Sequence, residues 1–332
     1  MKKLCLILFL VLFAVLFSSC IGIPNDKICE HSYVEIERTE PRPMVDGEVK
    51  YACDLCDETK VEVIPMTRSL KVLAIGNSFS VDAVTYLYDI CKTSGLTEII
   101  IGNANIGGCS LDTHANNILT NNAAYAYKKY STTKGAYLSG VTLDHALEDE
   151  EWDFVTLQQV SQLSGMPESL SALESIISHV NAKCPDAEIY WHMTWAYQQD
   201  STHNGFKNYN NDQMTMYNSI VDLVKNNIST NPAFKGVIPS GTAMQNLRTS
   251  HLGDSVTRDG YHASYGIGRF TIAMTWYSVF TGGSLESVFW FPSNDYRTEI
   301  IFNRELIVES AKNAIENPYE VTQSQFTQAP SN

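Results

Sequence analysis

A serine and an Asp-x-x-His pair are the residues of this chain best suited to chemistry. Ser78 lies in "LAIGNSFS", directly after an apolar run and before an amphipathic segment. Asp259 and His262 lie three residues apart in "TRDGYHASYG", a loop that contains glycine. This spacing lets the carboxylate accept a hydrogen bond from the imidazole Nδ1, which leaves Nε2 free to deprotonate a serine hydroxyl. The alternative for Ser78 is a purely structural role as the cap of the following helix.

Eight histidines compete for the role of general base, and His262 fits it best. His192 lies within "IYWHMTW", where a buried structural histidine is expected. His114 follows a glycine pair and is assigned to the lining of the substrate site. Cys109 is a rival nucleophile, but the sequence shows no electropositive setting for it, so a small buried side chain is expected.

Ester hydrolysis also requires hydrogen-bond donors for the negative oxygen that develops on the attacked carbonyl. Gly107 and Gly108 in "NIGGCSL" can bring backbone N–H groups close to a substrate. Gln158 and Gln159 in "TLQQVSQLSG" offer side-chain amides at a strand end. Because successive strand residues point to opposite faces, at most one of these amides reaches the site, and we expect Gln158 rather than Gln159.

The order of these motifs resembles that of the SGNH hydrolase superfamily, also called GDSL-type esterases. The resemblance is closest to a branch with a "GNSFS" first block, a "GG-x-SL" second block and an "LQQ" third block. It implies a nucleophile at Ser78, a general base at His262 oriented by Asp259, and an oxyanion hole formed by the N–H groups of Ser78 and Gly108, without a catalytic cofactor. The chain departs from the superfamily at Asn77, where aspartate is commoner, and in the third block, where glutamine replaces asparagine.

The elements that must position these residues alternate between short β-like runs and helical patterns. From Leu70 onward this alternation predicts an α/β three-layer sandwich, with a central, mostly parallel five-stranded sheet, spanning residues 69–318. The predicted strands are "LKVLAI", "TEIIIGNA", "DFVTLQ", "AEIYWHMTW" and "FKGVIPSG". In such sheets the ligand site lies beyond the carboxyl ends of the strands, where the motifs occur. The polar tail, residues 319–332, is predicted to be disordered in its last part.

The first twenty residues have the pattern of a targeting segment. Two lysines, an apolar run and two serines precede Cys20, which resembles the bacterial lipoprotein signal. That resemblance implies lipidation of Cys20, export, and attachment to a membrane through a tether at residues 21–28. An uncleaved membrane anchor is the alternative, although the apolar run is shorter than the roughly 20 residues that a span needs.

A small cysteine-rich module is predicted at residues 29–66. A C-x-H pair and a C-x-x-C pair are separated by a hairpin-sized insert, and they supply four ligands: Cys29, His31, Cys53 and Cys56. This pattern suits one tetrahedral zinc ion, while a disulfide within the group is the alternative for an exported protein. In either case the role is structural, because zinc would have no open coordination position.

Composition narrows the choice of substrate. The chain has 332 residues and a formal net charge of −14, which disfavours binding to nucleic acid. The stretch "HMTWAYQQDSTHNGF" at a strand end places Trp195, Tyr197, His203 and Phe206 close to the expected site. Trp195 and Tyr197 are expected to contact a sugar there, together with Asn77 and Gly107. The sequence therefore favours an acylated carbohydrate as substrate and an O-acetylesterase activity. A glycan-binding protein without catalysis and a lipase or thioesterase remain alternatives.

Overall fold

A computed structural model describes residues 29–132 and 135–329. The predictions for the signal segment, Cys20 and the tether lie outside the described residues. The described chain begins with an antiparallel sheet in the order β1-β2-β3, formed by Tyr33–Thr39, Gly47–Cys53 and Thr59–Ile64. The Met44 N–H donates to the Thr281 carbonyl at 3.0 Å, which joins this module to the main domain.

The main domain contains a seven-stranded sheet, so the prediction of five strands was wrong. Its strand order is β10-β9-β8-β4-β5-β6-β7, with β4 in the centre. The five predicted strands are the parallel ones, and β6 and β7 form an added antiparallel pair at one edge. β6 is largely buried or half-buried and β7 is largely exposed, and neither "YAYKKYS" nor "AYLSGV" contains the continuous buried apolar run that marks a central strand. The strands are β4 Ser69–Gly76, β5 Glu98–Asn105, β6 Tyr125–Ser131, β7 Ala136–Val141, β8 Phe154–Leu157, β9 Glu188–His192 and β10 Phe234–Ile238.

Helices cover both faces of this sheet. Their bounds are α1 Ser78–Val84, α2 Leu87–Thr93, α3 Leu111–Leu119, α4 Leu143–Leu147, α5 Leu173–Lys183, α6 Gln213–Leu223, α7 Ser240–Arg248, α8 Ile267–Thr281, α9 Arg297–Phe302 and α10 Arg304–Glu316. Helix α8 contacts α1, α2, α7 and α10 in one layer, while α3 contacts α4 and α5 in the other. Within the described residues, none of the helices combines the length and apolar character that crossing a membrane would require.

The central strand β4 places the serine motif at the middle of the sheet. Leu70, Val72, Leu73, Ala74 and Ile75 are almost completely buried. Such a continuous apolar run is typical of a parallel strand that is covered on both faces. The chain therefore leaves the core directly into the Gly-Asn-Ser turn, at the edge where the carboxyl ends of the parallel strands meet.

The described part of the polar tail, residues 319–329, is hydrogen-bonded to the main domain, contrary to the disorder predicted there. The Thr322 N–H donates to Asn246 Oδ1 at 2.8 Å, and the Ser324 hydroxyl donates to Glu309 Oε2 at 2.5 Å. The His251 N–H donates to the Phe326 carbonyl at 2.9 Å. The main domain thus bonds both backbone and side-chain groups of residues 322–326, so polar composition did not imply disorder there.

Candidate active site

The turn after β4 frees the Ser78 hydroxyl from a structural role. Asn77, not Ser78, is the N-cap of α1, and its Oδ1 accepts the Phe79 N–H at 3.0 Å. Ser78 is the first residue of the helix and is half-buried. Because the Ser78 hydroxyl does not cap the helix, it is available to another partner, and the capping alternative for Ser78 was wrong.

That partner is His262, which is part of a three-residue hydrogen-bonded chain. The His262 Nε2 lies 2.8 Å from the Ser78 Oγ, and its Nδ1 lies 2.7 Å from the Asp259 Oδ2. Because an ionised carboxylate only accepts hydrogen bonds, we assign the ring proton to Nδ1, which leaves Nε2 to accept the serine proton. The structure thus brings together Ser78, His262 and Asp259.

The Asp259 carboxylate is held in place by its own loop. Its Oδ1 accepts the N–H of His262 at 2.8 Å and that of Tyr261 at 3.3 Å. Partial burial raises the pKa of Asp259, but the hydrogen bonds from the His262 ring and from these N–H groups outweigh it, so the pKa lies below its usual value. Asp259 is therefore ionised at neutral pH and stabilises the Nδ1–H tautomer of His262.

A buried carboxylate on α1 fastens the histidine loop to the serine helix. Asp82 is fully buried and lies one helical turn after Ser78. It accepts hydrogen bonds from Arg258 at 3.0 Å, from Arg269 at 2.8 Å, and from the Ala263 N–H at 3.1 Å. Sequence reasoning missed this cluster, although a lone aspartate in the apolar stretch "SVDAVTYL" was a signal.

The glycine turn after β5 lies beside the serine. The Ile106 N–H donates to the Gly76 carbonyl at 3.1 Å, and Asn77 Nδ2 donates to the Cys109 carbonyl at 3.1 Å. Gly108 has a φ of 64°, a left-handed conformation that favours glycine. Among the described residues, neither the Ser78 N–H nor the Gly108 N–H has a hydrogen-bond partner. Both donors are therefore free to bind an oxyanion.

The prediction that Gln158 or Gln159 completes this donor set was wrong, because both amides are buried and occupied. Gln158 Nε2 donates to Asn77 Oδ1 at 2.9 Å, beneath the serine turn. Gln159 Nε2 donates to the Ser169 carbonyl at 2.9 Å, and its Oε1 accepts the Val160 N–H at 2.7 Å. Any side chain at Gly76 would clash with Gln158, since an added Cβ would lie 2.8 Å from its Cδ.

His192 orients Gln158 from the protein interior, which is the structural role expected for this histidine. Its Nδ1 lies 3.0 Å from the Gln158 Oε1, and its Nε2 lies 3.1 Å from the Ser240 Oγ, which also accepts from Trp276. Burial lowers the pKa of His192 to about 3. With Nδ1 donating and Nε2 accepting, a neutral His192 satisfies a buried chain of hydrogen bonds that ends at Asn77.

Four of the predicted substrate-binding residues lie in the interior, so that assignment was wrong for them. Asn77, His114, Trp195 and Tyr197 are each at most 2% exposed. Trp195 stacks on Phe79 at 4.2 Å, the Tyr197 hydroxyl bonds Ser161, and His114 Nδ1 bonds the Tyr125 hydroxyl. The chain after β9 continues into the core instead of rising into the cleft. Gly107 is exposed, as its predicted role requires.

Cys109 is buried beneath the glycine turn, in agreement with the structural interpretation. Its side chain is 3% exposed, and burial raises the pKa of its thiol to about 12. A thiol at such a pKa is protonated at neutral pH and is a poor nucleophile. Ser78 therefore remains the candidate nucleophile of this cleft.

The four predicted metal ligands lie together in the small module. Ligand atoms of Cys29, His31, Cys53 and Cys56 all lie within 4.8 Å of one another. The Sγ atoms of Cys29 and Cys53 are 3.7 Å apart, close to the about 3.8 Å that two thiolates at tetrahedral corners around zinc require. A disulfide would need about 2.0 Å. The residues therefore fit a tetrahedral metal ion.

The histidine of this group has the orientation of a metal ligand. Its Nδ1 faces Cys56 Sγ at 3.3 Å, and its Nε2 lies 3.5 Å from the Glu58 carboxylate. A carboxylate on the outer nitrogen is the usual support for a metal-binding imidazole, since it fixes the ring and raises the basicity of the ligating nitrogen.

Comparison with known proteins assigns the family. The model of a domain of unknown function, DUF4886, matches residues 71–315. This chain belongs to the DUF4886 family. The matched range contains the serine turn, the glycine turn and the Asp259–His262 loop, whereas the cysteine module precedes it. The DUF4886 domain is therefore the part of the chain that carries the candidate active site.

Solved structures include a relative of this domain. A DUF4886 family protein from Bacteroides uniformis is 40% identical, with a TM-score of 0.73, over 78% of this chain and 100% of that chain. A mutant of an acetylxylan esterase from Geobacillus stearothermophilus is 12% identical, with a TM-score of 0.40, over 63% and 93%. A candidate SGNH hydrolase from Slackia heliotrinireducens is 17% identical, with a TM-score of 0.38, over 65% and 100%. No match was found among curated proteins.

Proposed function

We propose that the DUF4886 domain of this chain is a serine ester hydrolase. The observation that carries the proposal is the unbroken chain from Ser78 Oγ through the His262 ring to Asp259, with distances of 2.8 Å and 2.7 Å. Two free N–H groups on the adjoining turns supply the second requirement, an oxyanion hole. Nucleophile, base, orienting carboxylate and oxyanion donors are the parts that acyl transfer needs.

The reaction proceeds through an acyl-enzyme. Ser78 Oγ attacks the carbonyl carbon while its proton moves to His262 Nε2, and the carbonyl oxygen becomes negative between the Ser78 and Gly108 N–H groups. The C–O bond to the alcohol then breaks, and His262 gives its proton to the departing oxygen. Water, deprotonated by His262, attacks the acyl-enzyme and releases the acid and free Ser78. Asp259 stays ionised and stabilises the imidazolium in both steps.

The proposed substrate is an acetylated carbohydrate. Near Ser78, Gly107 and Gly108 are exposed, and the half-exposed Tyr261 packs against the rings of His262 and His203. Short acyl groups suit such a site, because a long acyl chain needs an apolar channel to leave water. The strong negative charge of the chain also favours a neutral substrate.

The test compares wild-type protein with Ser78→Ala on p-nitrophenyl acetate. We expect Ser78→Ala to lose roughly 10³-fold or more of the activity, because the acyl-enzyme can no longer form. Ser175→Ala, an exposed serine on α5, is the matched control and should retain full activity. Equal rates for wild type and Ser78→Ala would refute the enzyme, and binding of acetylated glycans without turnover would then indicate a glycan-binding protein. A preference for long-chain over acetyl esters would instead indicate a lipase or thioesterase.

We further propose that the cysteine module holds one structural zinc ion. Cys29, His31, Cys53 and Cys56 would fill all four coordination positions, so the ion would staple a sheet too small to bury much apolar surface. Metal analysis of purified protein should give about one zinc per chain, falling sharply in Cys53→Ser but not in Cys184→Ser. Absence of zinc, with these thiols unreactive until reduced, would indicate a disulfide instead.

Export and membrane attachment through Cys20 complete the proposal. Their support is the sequence pattern alone, since Cys20 lies outside the described residues. In a bacterial host, the wild-type protein should fractionate with membranes and Cys20→Ser should be released. Retention of Cys20→Ser in the membrane fraction would favour an uncleaved anchor.

A further inference from the structure

A second imidazole lies beside the catalytic loop. His203 caps a short helical turn, Asn204–Tyr209, and its Nδ1 accepts the Gly205 N–H at 3.0 Å. A neutral ring that accepts at Nδ1 carries its proton on Nε2. Among the described residues, this Nε2 has no hydrogen-bond partner, although the ring is only partly exposed. His203 therefore presents a fixed N–H donor that the fold does not use.

Ring contacts through Tyr261 connect this donor to His262. The Tyr261 ring centre lies 4.2 Å from that of His262, with the planes tilted by 38°, and 4.8 Å from that of His203, in an edge-on contact at 60°. The buried Tyr197 supports His203 from behind at 4.8 Å. The three rings, His262, Tyr261 and His203, form a continuous half-exposed shelf along one side of the cleft.

The loop that carries His203 is tied to the catalytic loop. The Gln198 N–H donates to the Gly260 carbonyl at 2.8 Å. Gly260 has a φ of 90°, and a Cβ added there would lie 3.1 Å from Ser201 Oγ, so the two loops approach closely. The position of His203 relative to His262 is therefore set by the fold and does not depend on a free side-chain rotation.

The electrostatics keep His203 neutral. Partial burial and the neighbouring His262 lower its pKa, and Asp259 opposes them only in part. When His262 becomes an imidazolium during the reaction, protonation of His203 becomes still less favourable, because the two cations would repel each other. A neutral ring is suited to bind a hydroxyl group and does not compete with His262 for the proton of Ser78.

The chemistry of the reaction decides which part of the substrate meets this shelf. His262 must give its proton to the departing alcohol oxygen, so that alcohol lies against His262. The carbonyl oxygen lies on the other side, toward Gly108. Groups beside His262 therefore contact the alcohol and not the acyl group.

We propose that the shelf is the alcohol subsite, in which Tyr261 supports a sugar ring and the His203 Nε2–H donates to one of its free hydroxyl groups. This inference rests on the proposed ester hydrolase function and specifies the leaving group for it. Aromatic faces with a directed polar donor suit a pyranose, which has apolar C–H faces and hydroxyl edges. The His203 proton is not transferred, so His203 is a specificity residue and not an acid or base of the reaction.

The experiment uses two acetate esters with six-membered rings that differ in their hydroxyl groups. One is a methyl pyranoside with a single O-acetyl group, and the other is cyclohexyl acetate. Released acetate gives kcat/KM for wild type, His203→Ala and His203→Gln, whose amide reaches about as far as Nε2. His145→Ala, on α4, is the matched control for loss of an imidazole outside the cleft.

We expect His203→Ala to lower kcat/KM for the pyranoside about five- to tenfold, which corresponds to the loss of one hydrogen bond. Its kcat/KM for cyclohexyl acetate should stay within about twofold of the wild-type value. His203→Gln should recover part of the pyranoside activity. Equal losses on both esters, or no loss on either, would overturn the subsite while leaving the hydrolase intact. If wild type hydrolyses neither ester nor p-nitrophenyl acetate, the hydrolase proposal fails and the subsite fails with it.

Discussion

Replacement of Asp82 by asparagine tests how the catalytic loop is held. Asp82→Asn keeps the shape of the side chain but removes the charge that faces Arg258 and Arg269. The Asp82 side chain is fully buried, whereas those of Arg258 and Arg269 are 19% and 17% exposed. Breaking a buried ion pair from one side costs about 3–5 kcal/mol, because the remaining charge is left uncompensated.

The lower end of that range applies here. Both guanidinium groups also stack on Tyr265, with a distance of 4.7 Å to the ring centre in each case, and each keeps some contact with water. We therefore expect Asp82→Asn to lose about 3 kcal/mol of unfolding free energy, which corresponds to roughly 6–10 °C in Tm for a domain of this size. At 25 °C the variant remains folded, but its rate on p-nitrophenyl acetate should fall about tenfold, because His262 is less firmly held against Ser78.

The assay combines thermal melting with initial rates at 25 °C. Asp89→Asn on α2 is the matched control, because burial raises the pKa of Asp89 and only Lys92 opposes this effect, so neutralising it should leave Tm nearly unchanged. In the double variant Asp82→Asn/Arg258→Met, the loss should be smaller than the sum of the single losses, since one stranded charge is removed. A Tm for Asp82→Asn within a degree or two of wild type would refute the reasoning.

Three further outcomes follow from the buried network and from the module. Burial lowers the pKa of His114 to about 4 and that of His192 to about 3, both below the value of about 6.5 in an unfolded chain. On acidification the unfolded state therefore binds protons first, so the stability should be fully present above about pH 6.5 and decline toward pH 4. In urea titrations at several pH values, His114→Phe should reduce this pH dependence. An unchanged pH dependence would contradict the lowered pKa of His114. Asn77→Ala removes the cap of α1 and the hydrogen bond to the glycine turn, so it should lower the free energy of unfolding in urea by about 1–2 kcal/mol and lower kcat at least tenfold. An unchanged kcat would show that the serine turn keeps its conformation without Asn77. A zinc chelator should lower the melting temperature of the module without changing the rate on p-nitrophenyl acetate, because the module contacts the far end of α8 at Thr281; a parallel loss of rate would show coupling to the site.

The sequence predicted those parts of the fold that depend on local pattern. The five parallel strands are long apolar runs, and their burial on both faces makes them visible without any knowledge of tertiary contacts. The edge strands β6 and β7 were missed for the opposite reason. They are half-exposed and are stabilised by pairing with β5, which is a long-range interaction that no local window contains.

Ser78, Asp259 and His262 could be selected from the sequence because their chemistry restricts residue type and because Asp259 and His262 lie within one loop. The direction in which each side chain points was not available in this way. Gln158 and Gln159 have suitable amides, yet both turn inward, because buried partners at Asn77 and Ser169 compete for them. For Gln158 the partner, Asn77, is 81 residues away in the chain, so no local stretch of sequence contains the contact that turns this amide inward.

The sequence by itself therefore determined the five parallel strands, the candidate nucleophile with its base, and the four ligands of the small module. Only the tertiary structure decided what surrounds them. It buried Trp195, Tyr197 and Phe206 in the core, packed Tyr261 against His262, and joined Asp82 to a loop about 180 residues away in the chain. The physical reason is that a residue type fixes what a group can do, whereas burial and partners from distant segments fix whether it faces the substrate or the core.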